Sequence, residues 1–457
     1  LDYHIGFSGY IENAGYYNPQ KDWYHSVFFF NGEVIGLLGL IVKSDLFLNF
    51  LNFIGILILF RTIELTRYKS KTKTIIKFLV ISCPVILQLI ISGKPYLFPL
   101  SIIIFSFYEL NKILLINNYK NKYYKDTLLL FIIIIFGCSF RYEFYILLLI
   151  IFVYFLIFKI SLATKLVKYS IIGFLISIFP ILLRNYKYFK DPLFPFLSSQ
   201  NFGNEYVAFI NGLGSLNSIY GLDKILIFPF NLFISTIPGY FITTLGFAII
   251  PIIFAIRKKF LDKQIFIIVA YSLILIVLGK LGYPRFYVPS FILFVIMSGF
   301  LIENSKIKFF RFFLVGHIIF SFIVLLYSLI NYGSMILNEN FKDKILTNTI
   351  ENYYIYKTIS KNYSINEKFI DLTGSRNHFY KRKLNINSND RIFKLDNSKK
   401  LEILSIEKSI AIVEKQFVDY LIRKDIEFKV IEQFNYKLSS RNSLFNKIKN
   451  ISLIRLK

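Results

Sequence analysis

Carboxylates and imidazoles crowd the opening of the chain. Asp2, His4, Glu12, Asp22, His25 and Glu33 fall within "LDYHIGFSGYIENAGYYNPQKDWYHSVFFFNGEV", just ahead of a long apolar stretch. A carboxylate at such a place can take the proton of a hydroxyl as it attacks an electrophile. Asp2, followed at once by Tyr3 and His4, is the candidate base, whereas Glu12 and Asp22 fit a solvated loop. His4 and His25 with the neighbouring acids could also hold a divalent metal, but their spacing is diagnostic of no ligand set, and that alternative stays open.

Three later clusters carry charge where apolar residues dominate. In "CSFRYEFY", Arg141 and Glu143 form either a self-neutralising pair at a tight turn or a site for an anionic headgroup. In "GKLGYPRFYVPS", Lys280 and Arg285 suit either interfacial anchoring or the clamping of a phosphate leaving group. In "LLRNYKYFKDPLFPF", Asn185, Pro192 and Pro195 read as a structured exit into a loop.

The elements that must position these groups are membrane helices. Of the 457 residues, 55% are hydrophobic, with 52 Phe and 32 Tyr, and the mean hydropathy is +0.54. Apolar runs recur at 45–61, 76–92, 96–110, 127–139, 145–158, 169–183, 237–256, 264–279, 287–302 and 312–331, giving about ten spanning segments. Residues 28–43, shorter and bearing Asn31 and Glu33, fit a helix lying in the interface. Cys83 and Cys138 lie in apolar runs and read as buried thiols rather than a disulfide framework.

Net charge is +26, yet a nucleic-acid binder would gather its cations on one soluble face. Here they mark topology. Short connections on one side hold nineteen Lys and Arg residues, among them Arg67, Lys122 and Lys258, whereas the opposite side holds only Lys94, Arg141, Lys280 and Arg285. Retention of positive charge places the rich side in the cytoplasm. The opening loop, residues 184–236 and the tail then face outward, as do all four charged clusters. An outward first loop needs a span before it, so a helix is expected ahead of Leu1. From about residue 335 the apolar runs shrink to strand length, as in "KFIDLTG", "SIAIVEK" and "FKVIEQF", with "QFVDYLIRKD" at helical spacing. This predicts a small α/β domain over 335–457, after a membrane domain over 1–334.

The clusters, in this order, resemble the GT-C superfamily of polyprenyl-phosphate-sugar-dependent glycosyltransferases. The nearest likeness is to bacterial members related to protein O-mannosyltransferases, aminoarabinose transferases and lipopolysaccharide galacturonosyl or mannosyl transferases. Asp2 in "LDYHIG" matches the acid of their first outer loop (residues 1–27 here), and Glu33 the Glu of the following interfacial helix. "RNYKYFKDPLFPF" matches "N…GNPxxPF" with Lys-Asp in place of Gly-Asn, and Arg285 in "PRFYVPS" matches a late Arg-aromatic-Pro element. Several relatives carry a second acid where this chain has Lys94 in "SGKPYLFP".

The resemblance implies a polytopic α-helical GT-C-like protein of ten or eleven transmembrane helices in the bacterial cytoplasmic membrane, with its site on the outer side. It implies transfer of a sugar, with inversion, from a polyprenyl-phosphate donor to a glycan, lipid or protein hydroxyl of the cell envelope. Asp2 would be the base, with Tyr3, His4 and Glu33 supporting it. Arg141, Lys280, Arg285 and Lys94 would hold the donor phosphate, and no nucleic acid is involved. Two other readings share features with this one. An O-antigen polymerase or ligase would lack the acidic first loop and the C-terminal domain, and a transporter would place its ionisable residues near the midplane.

Overall fold

The computed structural model describes residues 30–42, 44, 46–115, 124–158, 160–194, 228–233, 244–247, 263–278, 283–304, 314–323, 352–364, 367–373, 396–407, 409–438 and 447–456, together with residues 8, 11, 15–17, 312, 326, 346–347 and 386. Packing divides the chain into two units, Phe30–Leu326 and Leu1–Phe29 with Tyr327–Lys457.

The first unit is helical. Helix α1, Asn31–Ile41, spans the segment expected at the interface, and its 11 residues are too few to cross a bilayer. Glu33 closes its first turn by accepting the Phe30 amide at 2.9 Å. Helix α2, Phe47–Glu64, is apolar along most of its length and carries Arg61 in its last turn. The run expected as one span over 76–92 is instead two helices, α3 (Ser70–Ile81) and α4 (Pro84–Ile91), meeting at 64°. Pro84 has no amide hydrogen to continue the α3 ladder, so the chain restarts there. The Ser82 carbonyl, which that break releases, accepts the Ser321 hydroxyl at 2.7 Å.

Helices α5 (Leu97–Leu115), α6 (Tyr124–Cys138), α7 (Tyr142–Phe158) and α8 (Ile160–Ser177) follow. The expected span over 169–183 is also interrupted: α8 stops at Ser177 and α9, Phe179–Phe189, with Pro180 in its first turn, turns away by 49°. Helix α10 covers Ile265–Val277, a 3₁₀ turn Pro284–Tyr287, α11 Val288–Met297, α12 Gly299–Asn304 and α13 Leu314–Ile323. Among the described residues two helices, Phe47–Glu64 and Pro284–Glu303, have the length and apolarity to cross a membrane, and up to four spans result if each bent pair is one. Shorter apolar helices, including α7 and α10, accompany them.

One apolar core joins α2–α8, α10 and α11. Its tightest seam is between α2 and α5. A Cβ on Gly55 would stand 2.8 Å from the Leu97 carbonyl carbon, so the two backbones touch directly, the role small residues take between membrane helices. Cys83 and Cys138 are buried free thiols, as the sequence implied.

In the second unit, α14 (Tyr353–Asn362), β1 (Phe369–Asp371), α15 (Asn397–Glu407), β2 (Ile410–Glu414), α16 (Lys415–Arg423), β3 (Phe428–Leu438) and β4 (Lys447–Leu456) build a sheet of order β1-β2-β4-β3. Strands β1 and β2 are parallel, and β4 is antiparallel to both its neighbours. Alternation along the strands feeds two cores: Ile410, Ile412 and Leu453 face α14, whereas Ala411, Val413 and Ile454 pack with Leu404 of α15 and Phe417 of α16. Strands β1, β2 and β3 fall on the short apolar runs "KFIDLTG", "SIAIVEK" and "FKVIEQF".

Candidate functional site

The site grows from a buried amide. Asn52, on α2, is fully buried. Its side-chain NH₂ donates to the carbonyls of Leu89, Ser92 and Lys94 at 3.0, 3.2 and 2.7 Å. Its oxygen faces the amides of Tyr96, Leu97 and Phe98 at 3.4, 3.0 and 3.5 Å, the N-terminus of α5. One side chain thus sets the course of the "SGKPYLF" loop that carries Lys94 and Tyr96. Asn52→Leu keeps the volume but strips both ends of that clamp. The expected loss is roughly 2–4 kcal/mol, since several buried backbone groups lose their partner together, and thermal unfolding in detergent measures it.

Tyr96 is the centre of what the loop presents. Its ring is 1% exposed and meets the edge of Phe144 at 5.2 Å. The Arg141 guanidinium lies 5.2 Å from the ring centroid, within the range of cation–π attraction. The phenol donates to the Arg285 carbonyl at 2.7 Å. Arg141 Nε donates to Glu143 Oε1 at 2.7 Å, both side chains being largely buried. Arg285 sits in the 3₁₀ turn, its guanidinium 4.9 Å from the centroid of Phe286. Its buried Nε has no hydrogen-bond partner among the described residues.

Helix α1 lies against this group. Gly32 leaves space that Pro95 fills: a Cβ there would come within 2.4 Å of the Pro95 ring. Asn31 Nδ2 donates to the Ser139 hydroxyl at 2.6 Å and the Ser177 carbonyl at 3.2 Å, tying α1 to the ends of α6 and α8. Phe30 packs edge-on to Tyr142, with ring centroids 4.3 Å apart. Glu33 is buried, and desolvation pushes its carboxyl up to about 7; the Phe30 amide and the charges of Arg141 and Arg184 oppose that rise.

Arg184 Nη2 reaches Asn185 Oδ1 at 2.6 Å. Asn185, buried in α9, donates to the carbonyls of Pro192 and Phe194 at 3.2 and 3.4 Å, and Tyr142 OH also donates to the Phe194 carbonyl. Asp191 Oδ1 accepts the Leu193 amide at 2.9 Å, as an Asn there would. Lys190, where the resembling motif has Gly, ends α9 in the left-handed region at φ 58°. That position favours glycine. Lys190→Gly is expected to raise stability by roughly 0.5–1 kcal/mol, the relief of a β-carbon in that region exceeding the loss of a cation–π contact with Tyr186. A thermal shift in detergent reads it.

The family model described as the DUF1420 N-terminal domain matches residues 1–342. The chain belongs to that family. No curated protein matches the sequence significantly. Among solved structures, the DUF1420 chain is similar to ArnT from Cupriavidus metallidurans in the apo state, with TM-score 0.60 and 8% identity over 99% of this chain and 92% of that one. It is similar also to the same protein bound to undecaprenyl phosphate, with TM-score 0.59 and 9% identity over 99% and 93%. At that identity the likeness shows the fold, which is the GT-C fold that the order of the sequence clusters implied.

Of the residues singled out in this DUF1420 sequence, the structure brings Arg141, Arg285 and the Lys94 loop together around Tyr96, with Glu33 electrostatically coupled to Arg141. Of the two sequence readings of Arg141, the self-neutralising pair is present, with Glu143 as its partner, and the guanidinium also faces Tyr96. Asp2, Tyr3, His4, Glu12, Asp22, His25 and Lys280 lie outside the described residues, as do most of 184–236 and 237–256. No three His, Cys, Asp or Glu side chains gather as a metal site among the described residues. Tyr96, Asn52 and Arg184 were not foreseen. Asn52, one of two Asn residues with Asn49 in an apolar run, was the available signal, because a polar residue in a span is costly unless it has a task.

Proposed function

We propose that this DUF1420 member is an integral membrane glycosyltransferase that moves a sugar from a polyprenyl-phosphate donor to an extracytoplasmic glycan, lipid or protein hydroxyl. The observation that carries the reading is the full-length likeness to ArnT, an aminoarabinose transferase solved with undecaprenyl phosphate. Around Tyr96 this chain supplies the groups such a lipid phosphate needs. Arg141, Arg285 and Lys94, joined by Lys280, neutralise the phosphate as the bond from its oxygen to the anomeric carbon breaks. The acceptor oxygen attacks that carbon from the opposite side, with inversion. Asp2, with Tyr3 and His4 beside it in sequence, receives the hydroxyl proton. Carboxylates, with an ordinary pKa of about 4, are weak bases toward a resting alcohol. The proton therefore moves late, once the oxygen has gained positive character. Glu33 supports the site by fixing the start of α1.

In this reading the protein lies in the bacterial cytoplasmic membrane through its first 334 residues, with ten or eleven spans. The site and residues 335–457 face outward. Incubating the purified protein in lipid with a panel of polyprenyl-phosphate sugars and a cell-envelope extract tests the class. Release of polyprenyl phosphate coupled to sugar incorporation is expected; a panel that yields neither removes the transferase reading. A reporter fused after Lys457 should be active outside the cytoplasm, and a cytoplasmic signal would undo the orientation.

A further inference from the structure

We propose that Tyr96 is a positioning residue that ties Arg141 and Arg285 into a single clamp for the phosphate of the lipid-linked donor, an inference that rests on the transferase reading. Three observations converge on it. First, Tyr96 is itself rigidly held: Asn52 fixes the chain on both sides of it, and Phe144 meets its ring. Second, it touches the two arginines in different ways, its ring facing the Arg141 guanidinium and its hydroxyl bonded to the backbone carbonyl of Arg285. Third, that hydroxyl is not needed to satisfy the carbonyl, which already accepts the Val288 amide. A phenylalanine would fill the same space with no polar atom to bury. The phenol's contribution is to draw the 3₁₀ turn onto the loop.

Neither contact neutralises a charge. Arg285 has no ion pair among the described residues, and its guanidinium is covered by Phe286 and leaves a buried Nε–H without an acceptor. A phosphate oxygen is the acceptor such a donor lacks. Arg141 is held at Nε by Glu143 and across its face by Tyr96, which fixes the plane of its remaining N–H groups. Residues 141 and 285 come from distant parts of the chain, and the phenol is their shared contact. Loosening it should cost donor affinity before it costs chemistry.

The full chain in nanodiscs, titrated with undecaprenyl phosphate and separately with inorganic phosphate, tests this. Tyr96→Phe keeps the ring under Arg141 and loses the bond to Arg285. It is expected to weaken undecaprenyl phosphate about 3- to 10-fold, the worth of one hydrogen bond, and inorganic phosphate by the same factor. Donor KM should rise in step, with kcat at saturating donor and acceptor KM unchanged. Tyr96→Leu, which loses both contacts, should weaken binding about 10-fold further. Unchanged affinity in Tyr96→Phe overturns the proposal. So does a fall in the amount of active protein with donor KM unmoved, since that is what a purely structural role would give. Loss confined to undecaprenyl phosphate would place the effect on the lipid tail and overturn it likewise. A wild-type protein that binds neither probe removes the transferase reading and the clamp with it, whereas wild-type binding with an indifferent Tyr96→Phe removes the clamp alone.

Discussion

Asp2→Asn is expected to lower sugar transfer by about 10³-fold while leaving donor binding and thermal stability near those of the wild type. The substitution is nearly isosteric and keeps a hydrogen-bond acceptor, but an amide cannot take up the proton that the attacking hydroxyl must lose. General-base assistance is worth roughly 10²–10⁴-fold, and the expected loss sits in that range because no acid directly neighbours Asp2 in sequence to take over its role. Undecaprenyl phosphate should bind the variant as it binds the wild type, because the phosphate is assigned to Arg141, Arg285, Lys94 and Lys280. Single-turnover transfer and direct lipid binding, measured on the same preparation, separate the two effects. Near-normal turnover would take the base away from Asp2 and reopen the choice among the acids of the first loop.

The second large effect concerns Arg141 and Glu143, whose side chains are only 15% and 12% exposed. Arg141→Leu alone leaves the Glu143 carboxylate largely buried without its partner, a change worth about 3–5 kcal/mol. The melting temperature should fall sharply and donor use with it. Arg141→Leu combined with Glu143→Leu should recover most of the stability, because replacing a buried pair by apolar residues of similar size is often neutral or favourable. Donor KM should not recover, because the cation facing Tyr96 is still missing. Recovery of both in the double variant would make the pair a structural device and remove Arg141 from the donor site. The cycle therefore separates the two roles that the sequence left standing side by side.

Much of this was legible before any coordinates. The interfacial helix could be read from "NGEVIGLLGLIVK", too short to span and too apolar to be a loop, and Asn31–Ile41 is helical. The strands of the C-terminal unit could be read because each is a brief apolar run bounded by polar residues, and β2 and β3 fall on "SIAIVEK" and "FKVIEQF". Pro84 and Pro180 carried a signal that hydropathy smoothed over: two segments scored as continuous are bent by 64° and 49°. Tyr96 was illegible for a different reason. In a chain with 32 tyrosines, nothing local marks the one whose hydroxyl reaches a carbonyl 189 positions away. The left-handed end of α9 was hidden because Lys190 stands where a glycine would have announced it.

The direct backbone contact at Gly55 bears on how a long lipid could ever reach the cations. With no side chain between them the backbones of α2 and α5 are in contact there, and any β-carbon at position 55 would meet the Leu97–Phe98 peptide. That wall, and the Lys94–Tyr96 loop anchored to it, is therefore a fixed jamb. The Arg285 turn, bonded to that loop through Tyr96, belongs to the same frame, so a donor of the kind proposed would have to enter without parting α2 from α5.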